Sequence, residues 1–83
     1  YAAFRCRDGY FALAAGTDKL WLAACEGIGR GDLAQDPRFA SPSLRAQHQE
    51  ALREQLEATF ARYDAAQLLG IFNARGVPCA PLN

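Results

Sequence analysis

The 83-residue sequence has no surplus of either charge: nine Lys and Arg stand against nine Asp and Glu. A domain that coats DNA or an anionic membrane normally carries a basic excess, so neither partner is expected. No apolar run approaches the roughly 20 residues that span a bilayer. No basic leader followed by an apolar stretch opens the sequence, so no secretory signal is visible. Cysteine is scarce and odd in number: Cys6, Cys25 and Cys79 include no C-x-x-C pair, and the single histidine, His48, lies in a run of Gln and Glu. This suits neither a disulfide framework nor a metal site, and it reads as reduced, buried thiols in a cytoplasmic protein. Catalytic signatures are missing as well. There is no G-x-x-x-x-G-K-[ST] phosphate loop, no G-x-S-x-G elbow and no H-E-x-x-H. Gly27, Gly29 and Gly31 follow a helix rather than a strand, so they read as helix termination and not as a dinucleotide loop. The first residue is Tyr1 rather than Met, which reads as an excised fragment or a trimmed product.

What is present suits one small domain over residues 1–83, with 51% hydrophobic residues to fill a core. Residues 1–15 read as a β-hairpin around Asp8-Gly9, a favoured pair for a type I′ turn. That turn would set Cys6 opposite Phe11 and Phe4 opposite Leu13. Phe4, Cys6, Phe11 and Leu13 then share one face, and Arg5, Arg7 and Tyr10 the other. Arg5 and Arg7 read as solvated. Thr17 caps a first helix whose stripe is Leu20, Trp21, Ala24, Cys25 and Ile28, with Gly29 as a left-handed stop. A short helical turn over Asp32–Ala34 precedes the break at Asp36-Pro37. Ser41-Pro42 starts the longest helix, expected to run to about Arg62 with its seam at Leu52, Leu56, Phe60 and Tyr63. His48 belongs to its wet side, and Arg53 and Glu57 are spaced for an ion pair. Asp64 and Gln67 form a capping box for a last helix, which Gly76 closes with Val77 folded back on Phe72. Gly70 in that helix interior suggests a close neighbour or simple drift. The tail from Val77 to Asn83 is extended and, bearing proline, cannot be a central strand. The fold class is α+β: a hairpin, about three helices and an extended tail.

Four segments carry a resemblance. They are Y-x-x-F-R-x-x-D-G-Y at 1–10, A-x-G-T-D-K-L-W-x-x-x-C at 14–25, I-G-R-x-x-L-x-x-D-P-R-F at 28–39 and G-V-P-C-A-P-L-N at 76–83. In this order and spacing the chain resembles the small domain of the family III CoA-transferases, the carnitine dehydratase/formyl-CoA transferase family. The resemblance covers essentially the whole chain. Leu68 departs from it where tryptophan is common, and Gly31 where proline is common; both bear on the subfamily rather than the family.

The resemblance implies a cytoplasmic parent enzyme several times longer, built as an interlocked homodimer. In it a large CoA-binding domain carries the aspartate that attacks the acyl thioester, and the small domain closes over the active site. The nucleophile lies outside this segment, so no catalytic residue is assigned to Asp8, Asp18, Asp32, Asp36 or Asp64. The chain alone is expected to be inactive and to bind no cofactor, a coenzyme A thioester being the substrate of the parent. The α-methylacyl-CoA racemase branch of the same superfamily reads I-E-P-Q-F at the strand-to-helix corner and uses its glutamate. Here the corner is Gly16, Thr17 and Asp18, closer to the G-N-D of the transferases, and these three are the candidate substrate-binding residues. A threonine cannot replace a carboxylate in proton transfer, which favours the transferase branch. The alternatives are the racemase branch and a stand-alone helical interaction module.

Overall fold

A computed structural model describes residues 2–82; Tyr1 and Asn83, the outer ends of the expected hairpin and tail, lie outside them. Three strands, β1 (Ala2–Cys6), β2 (Gly9–Leu13) and β3 (Cys79–Leu82), form an antiparallel sheet in the order β1-β2-β3. The extended tail thus becomes an edge strand, where Pro81 costs no central ladder bond. The expected facing pattern holds, with Phe4, Cys6, Phe11 and Leu13 all buried. The register differs. Cys6 pairs with Gly9 and Phe4 with Phe11, so the loop is Arg7-Asp8 and no type I′ turn forms at Asp8-Gly9. Among the described residues only glycines take positive φ, which a I′ turn would require of Asp8. Tertiary contacts account for the slip. The Asp8 carboxylate accepts the Ala65 N–H at 2.9 Å, the Arg7 N–H donates to the Tyr63 carbonyl at 2.9 Å, and the Arg7 guanidinium reaches Asp64 at 3.3 Å. The slip is by two residues on one strand, so every side chain keeps its face.

Five helices follow the hairpin. They are α1 (Asp18–Gly27), α2 (Gly31–Ala34), α3 (Pro42–Gln47), α4 (Gln49–Phe60) and α5 (Ala65–Ala74), with a 3-10 turn over Pro37–Phe39 before α3. The single long helix expected from Pro42 is therefore two. His48, at φ −111° and ψ 36°, leaves helical geometry and divides it. Both expected glycine stops are closed by paired bonds. Gly29 and Gly76 each sit at φ +71°. Val77 N–H reaches the Phe72 carbonyl at 2.9 Å and Gly76 N–H reaches Asn73 at 3.2 Å; Arg30 and Gly29 repeat the pattern on Cys25 and Glu26. The capping box at Asp64 and Gln67 forms in both directions. Close packing occurs at Gly27 rather than Gly70: a Cβ there would lie 3.0 Å from Ile71 of α5 and from Arg75, the residue that caps it.

The helices cover one face of the sheet. Phe60 of α4 and Phe72 of α5 meet Phe4 and Phe11 of the sheet as a cluster of edge-on and stacked rings, with centroids 4.8 to 6.4 Å apart. The outer edge of β1 is sealed by α4, whose Glu57 accepts the Arg5 N–H at 2.8 Å and whose Arg53 donates to the Ala3 carbonyl. The expected Arg53–Glu57 pair is present at 3.4 Å.

Candidate functional site at the strand-to-helix corner

The chain leaves β2 at Leu13 and enters α1 at Asp18, so Gly16 and Thr17 form the corner between sheet and helix. Thr17 is extended at φ −85° and ψ 157°, and its hydroxyl accepts the Leu20 N–H at 3.2 Å. The expected cap is therefore in place. It satisfies one of the unpaired N–H groups with which any helix begins. Gly16, Thr17 and Asp18 are all exposed, which leaves the corner open to another molecule or domain.

A residue the sequence did not single out holds this corner from below. Arg45 of α3 is only 7% exposed. Its Nη2 donates to the Gly16 carbonyl at 3.1 Å and to Asp18 Oδ1 at 3.0 Å, and its Nη1 donates to the Phe39 carbonyl at 2.9 Å. Its guanidinium lies 5.6 Å from the centroid of the Trp21 ring, which stands edge-on to Phe39. One planar fork thus ties the corner, the first turn of α1 and the 3-10 turn together. The hint available in sequence was its spacing, seven residues before Leu52 and eleven before Leu56. A helix continued back from the Leu52–Leu56–Phe60 seam puts Arg45 on that same inward face, an unusual place for a charge without buried partners.

Beside the corner an open groove of about 590 Å³ runs between the hairpin and the α3–α4 pair. Phe4, Leu13, Ala15, Trp21, Leu52 and Leu56 make its apolar wall, and Gly16, Arg45 and Arg53 make its polar margin. Trp21 is 3% exposed, and its indole N–H has no hydrogen-bond partner within the described residues. An unpaired buried donor of this kind costs about 1–3 kcal/mol.

The other sequence candidates have structural partners. Arg5 donates to the Tyr10 hydroxyl at 3.2 Å, and Arg7 pairs with Asp64. Arg30 grips Asp32 through two bonds of 3.0 Å and reaches Thr59 at 2.7 Å, fastening α2 to α4. That grip holds the Asp32 carboxyl below its ordinary range, as Arg38 does for Asp36. His48 is half-buried at the helix break. Cys6, Cys25 and Cys79 are free thiols, and burial pushes Cys25 up to about 12, which leaves it no thiolate for nucleophilic work at neutral pH. No group of three or more His, Cys, Asp or Glu among the described residues is placed to hold a metal ion. No helix among them is long and apolar enough to cross a membrane.

Comparison with known proteins gives concordant results. Residues 1–83 match the family described as CoA-transferase family III. The acetyl-CoA:oxalate CoA-transferase of Acetobacter aceti is 35% identical over 82 residues, which is 99% of this chain and 21% of that protein. The succinyl-CoA:glutarate CoA-transferase of Mus musculus is 31% identical over 83 residues, covering all of this chain and 19% of the relative. Among solved structures, a CAIB/BAIF family protein from Brucella suis superposes with a TM-score of 0.95 at 35% identity, over 100% of this chain and 22% of that one. The chain spans about a fifth of the length of the curated relatives it matches.

Proposed function

Because the chain belongs to CoA-transferase family III, we propose that it works as the small domain of a longer acyl-CoA:carboxylate CoA-transferase. In this reading it closes over an active site whose nucleophilic aspartate is supplied by a large CoA-binding domain. The substrates are a coenzyme A thioester and a small carboxylic acid, the pairing named for the Acetobacter and mouse relatives. The parent enzyme would be a cytoplasmic interlocked homodimer. The observation that carries the reading is the open corner at Gly16, Thr17 and Asp18, exposed beside an apolar groove and braced by a buried arginine.

The corner favours group transfer over racemisation. Thr17 commits its hydroxyl to the cap, and the carboxylate of Asp18 accepts from Arg45. Neither is arranged as a free base for abstracting a proton next to a thioester.

The experiment is to express the domain at full family length and assay CoA transfer from acyl-CoA donors to mono- and dicarboxylates. Transfer is expected from the longer protein, and none from residues 1–83 alone. Thr17→Ala should lower kcat/KM per folded molecule while costing about 1 kcal/mol of stability as a lost cap. Exchange of the α-proton of a 2-methylacyl-CoA with deuterated solvent, without transfer, would overturn the reading in favour of the racemase branch.

A further inference from the structure

We propose that Arg45 is a positioning residue for the CoA-transfer reaction, fixing the Gly16–Asp18 corner in the conformation that meets the substrate. The inference rests on the transferase reading above and adds a residue to it. Arg45 is the most buried charged side chain among the described residues, and its three partners come from two separate pieces of chain. Two of those partners, the Gly16 carbonyl and the Asp18 carboxylate, flank Thr17 on either side. The third, the Phe39 carbonyl, anchors the fork to the 3-10 turn.

The energetics point to placement rather than to stability. The ion pair joins a buried guanidinium to an exposed carboxylate, so solvent screens the attraction while desolvation of Arg45 offsets it, and little net stability results. Its geometry is demanding all the same, since a planar guanidinium with two occupied nitrogens leaves its acceptors little freedom. Gly16 lacks a Cβ, and nothing lies within 4 Å of where one would stand. Packing therefore does little to hold the corner on its outer side, and the bonds from Arg45 take that role. Lysine cannot substitute fully, because a single ammonium cannot reach acceptors that lie on two different guanidinium nitrogens.

The test uses the longer protein carrying Arg45→Lys and Arg45→Met, the second keeping an apolar stem without charge. Three quantities are read for each: melting temperature, amide hydrogen exchange at Leu20 and Trp21, whose N–H groups are bonded to Thr17, and kcat and KM for CoA transfer. Both variants should exchange faster at the corner. Turnover per folded molecule should fall on the order of tenfold to a hundredfold, the scale of a displaced reacting geometry. The loss should appear mainly in kcat, with Arg45→Lys recovering part of what Arg45→Met loses.

Unchanged exchange at the corner in folded variants overturns the proposal, as does faster exchange with undiminished turnover per folded molecule. Should Arg45→Met fail to fold, Arg45→Lys carries the same two readouts. In those outcomes the unsubstituted enzyme still transfers CoA. Absence of transfer by the unsubstituted enzyme instead sinks the transferase reading, and the positioning role with it.

Discussion

Under the sheet, Phe60 meets Phe4, Phe11 and Phe72 at centroid distances of 5.7, 4.8 and 6.1 Å. At the corner, Arg45 meets two carbonyls and a carboxylate. The first region is held by contacts that are individually weak, numerous and indifferent to direction. The second is held by three bonds that are strong only along particular directions. A substitution in the aromatic cluster should therefore cost stability in proportion to the volume lost. A substitution at the corner should displace backbone while leaving most of the stability intact. Breaking each region in turn tests that contrast.

The largest effect is expected at Phe60, which is fully buried at the centre of the ring cluster. Phe60→Ala removes contacts to three rings and leaves a cavity, at a cost of about 3–5 kcal/mol. A domain of this size has roughly 5 kcal/mol to lose, so the variant should be largely unfolded at 37 °C by circular dichroism. Phe60→Leu retains most of the volume and should stay folded. A cooperative melt for Phe60→Ala close to that of the unsubstituted chain would show that the cluster does not hold the fold.

The next largest is at Gly76, where the backbone rather than the side chain sets the cost. Its φ of +71° is left-handed, and the space around a built Cβ is empty. The Cβ of Gly76→Val therefore meets no neighbour, and the expected cost is conformational strain of roughly 1–2 kcal/mol, with more lost if the closure onto Phe72 opens. For a domain this small each kcal/mol lowers Tm by roughly 4–8 °C. Gly76→Asn should lose far less, because asparagine tolerates the conformation. Equal melting temperatures for the two variants would remove the left-handed closure from the account.

These two sites also mark what the sequence made legible. The ring cluster follows from alternation in the hairpin and helical spacing at Leu56, Phe60, Leu68 and Phe72, because burial imposes those periods. The caps at Thr17, Ser41 and Asp64 and the stops at Gly29 and Gly76 follow from local chemistry, and each stands where expected. What misled was non-local. Asp8-Gly9 has the composition of a type I′ turn, but Ala65 N–H and the Tyr63 carbonyl, more than fifty residues away, draw the loop to Arg7-Asp8. The break at His48 is equally invisible, since no proline or glycine marks it. Arg45 stands at seam spacing from Leu52, but its role depends on carbonyls supplied by two other segments, which no local reading shows. At the corner itself the resemblance singled out Gly16, Thr17 and Asp18 as candidates, while the brace beneath them left no such mark.

Cys25 sharpens the contrast through pH. Burial, and then the nearby Asp32 carboxylate, push its thiol up to about 12. An unfolded thiol titrates near 8.5, so the native state favours the neutral form. The stability this provides is complete below the unfolded value and is lost as pH rises from there toward 12. Tm should therefore fall more steeply through the alkaline range than in Cys25→Ala, which carries no thiol there. Half-buried Cys79 should react with a thiol reagent in the native state, and fully buried Cys25 only on unfolding. Equal labelling rates for the two would contradict the burial of Cys25.

The smallest effect on stability is expected at Gly16, and it tests the corner most directly. Gly16 is not among the glycines of positive φ, and nothing lies within 4 Å of a Cβ built on it. Alanine should fit the native backbone unstrained. By restricting the unfolded chain it should leave Tm unchanged or raise stability by about 0.4–1 kcal/mol. The bond from Arg45 uses the Gly16 carbonyl, which alanine retains, so the brace should survive. Any loss of CoA transfer in the longer protein must then come from the methyl group entering space at the margin of the groove. A raised KM with unimpaired folding is the expected outcome, and it would place substrate against Gly16. Unchanged KM and kcat in Gly16→Ala would mean that nothing approaches this residue during turnover, and the corner would then be scaffold alone.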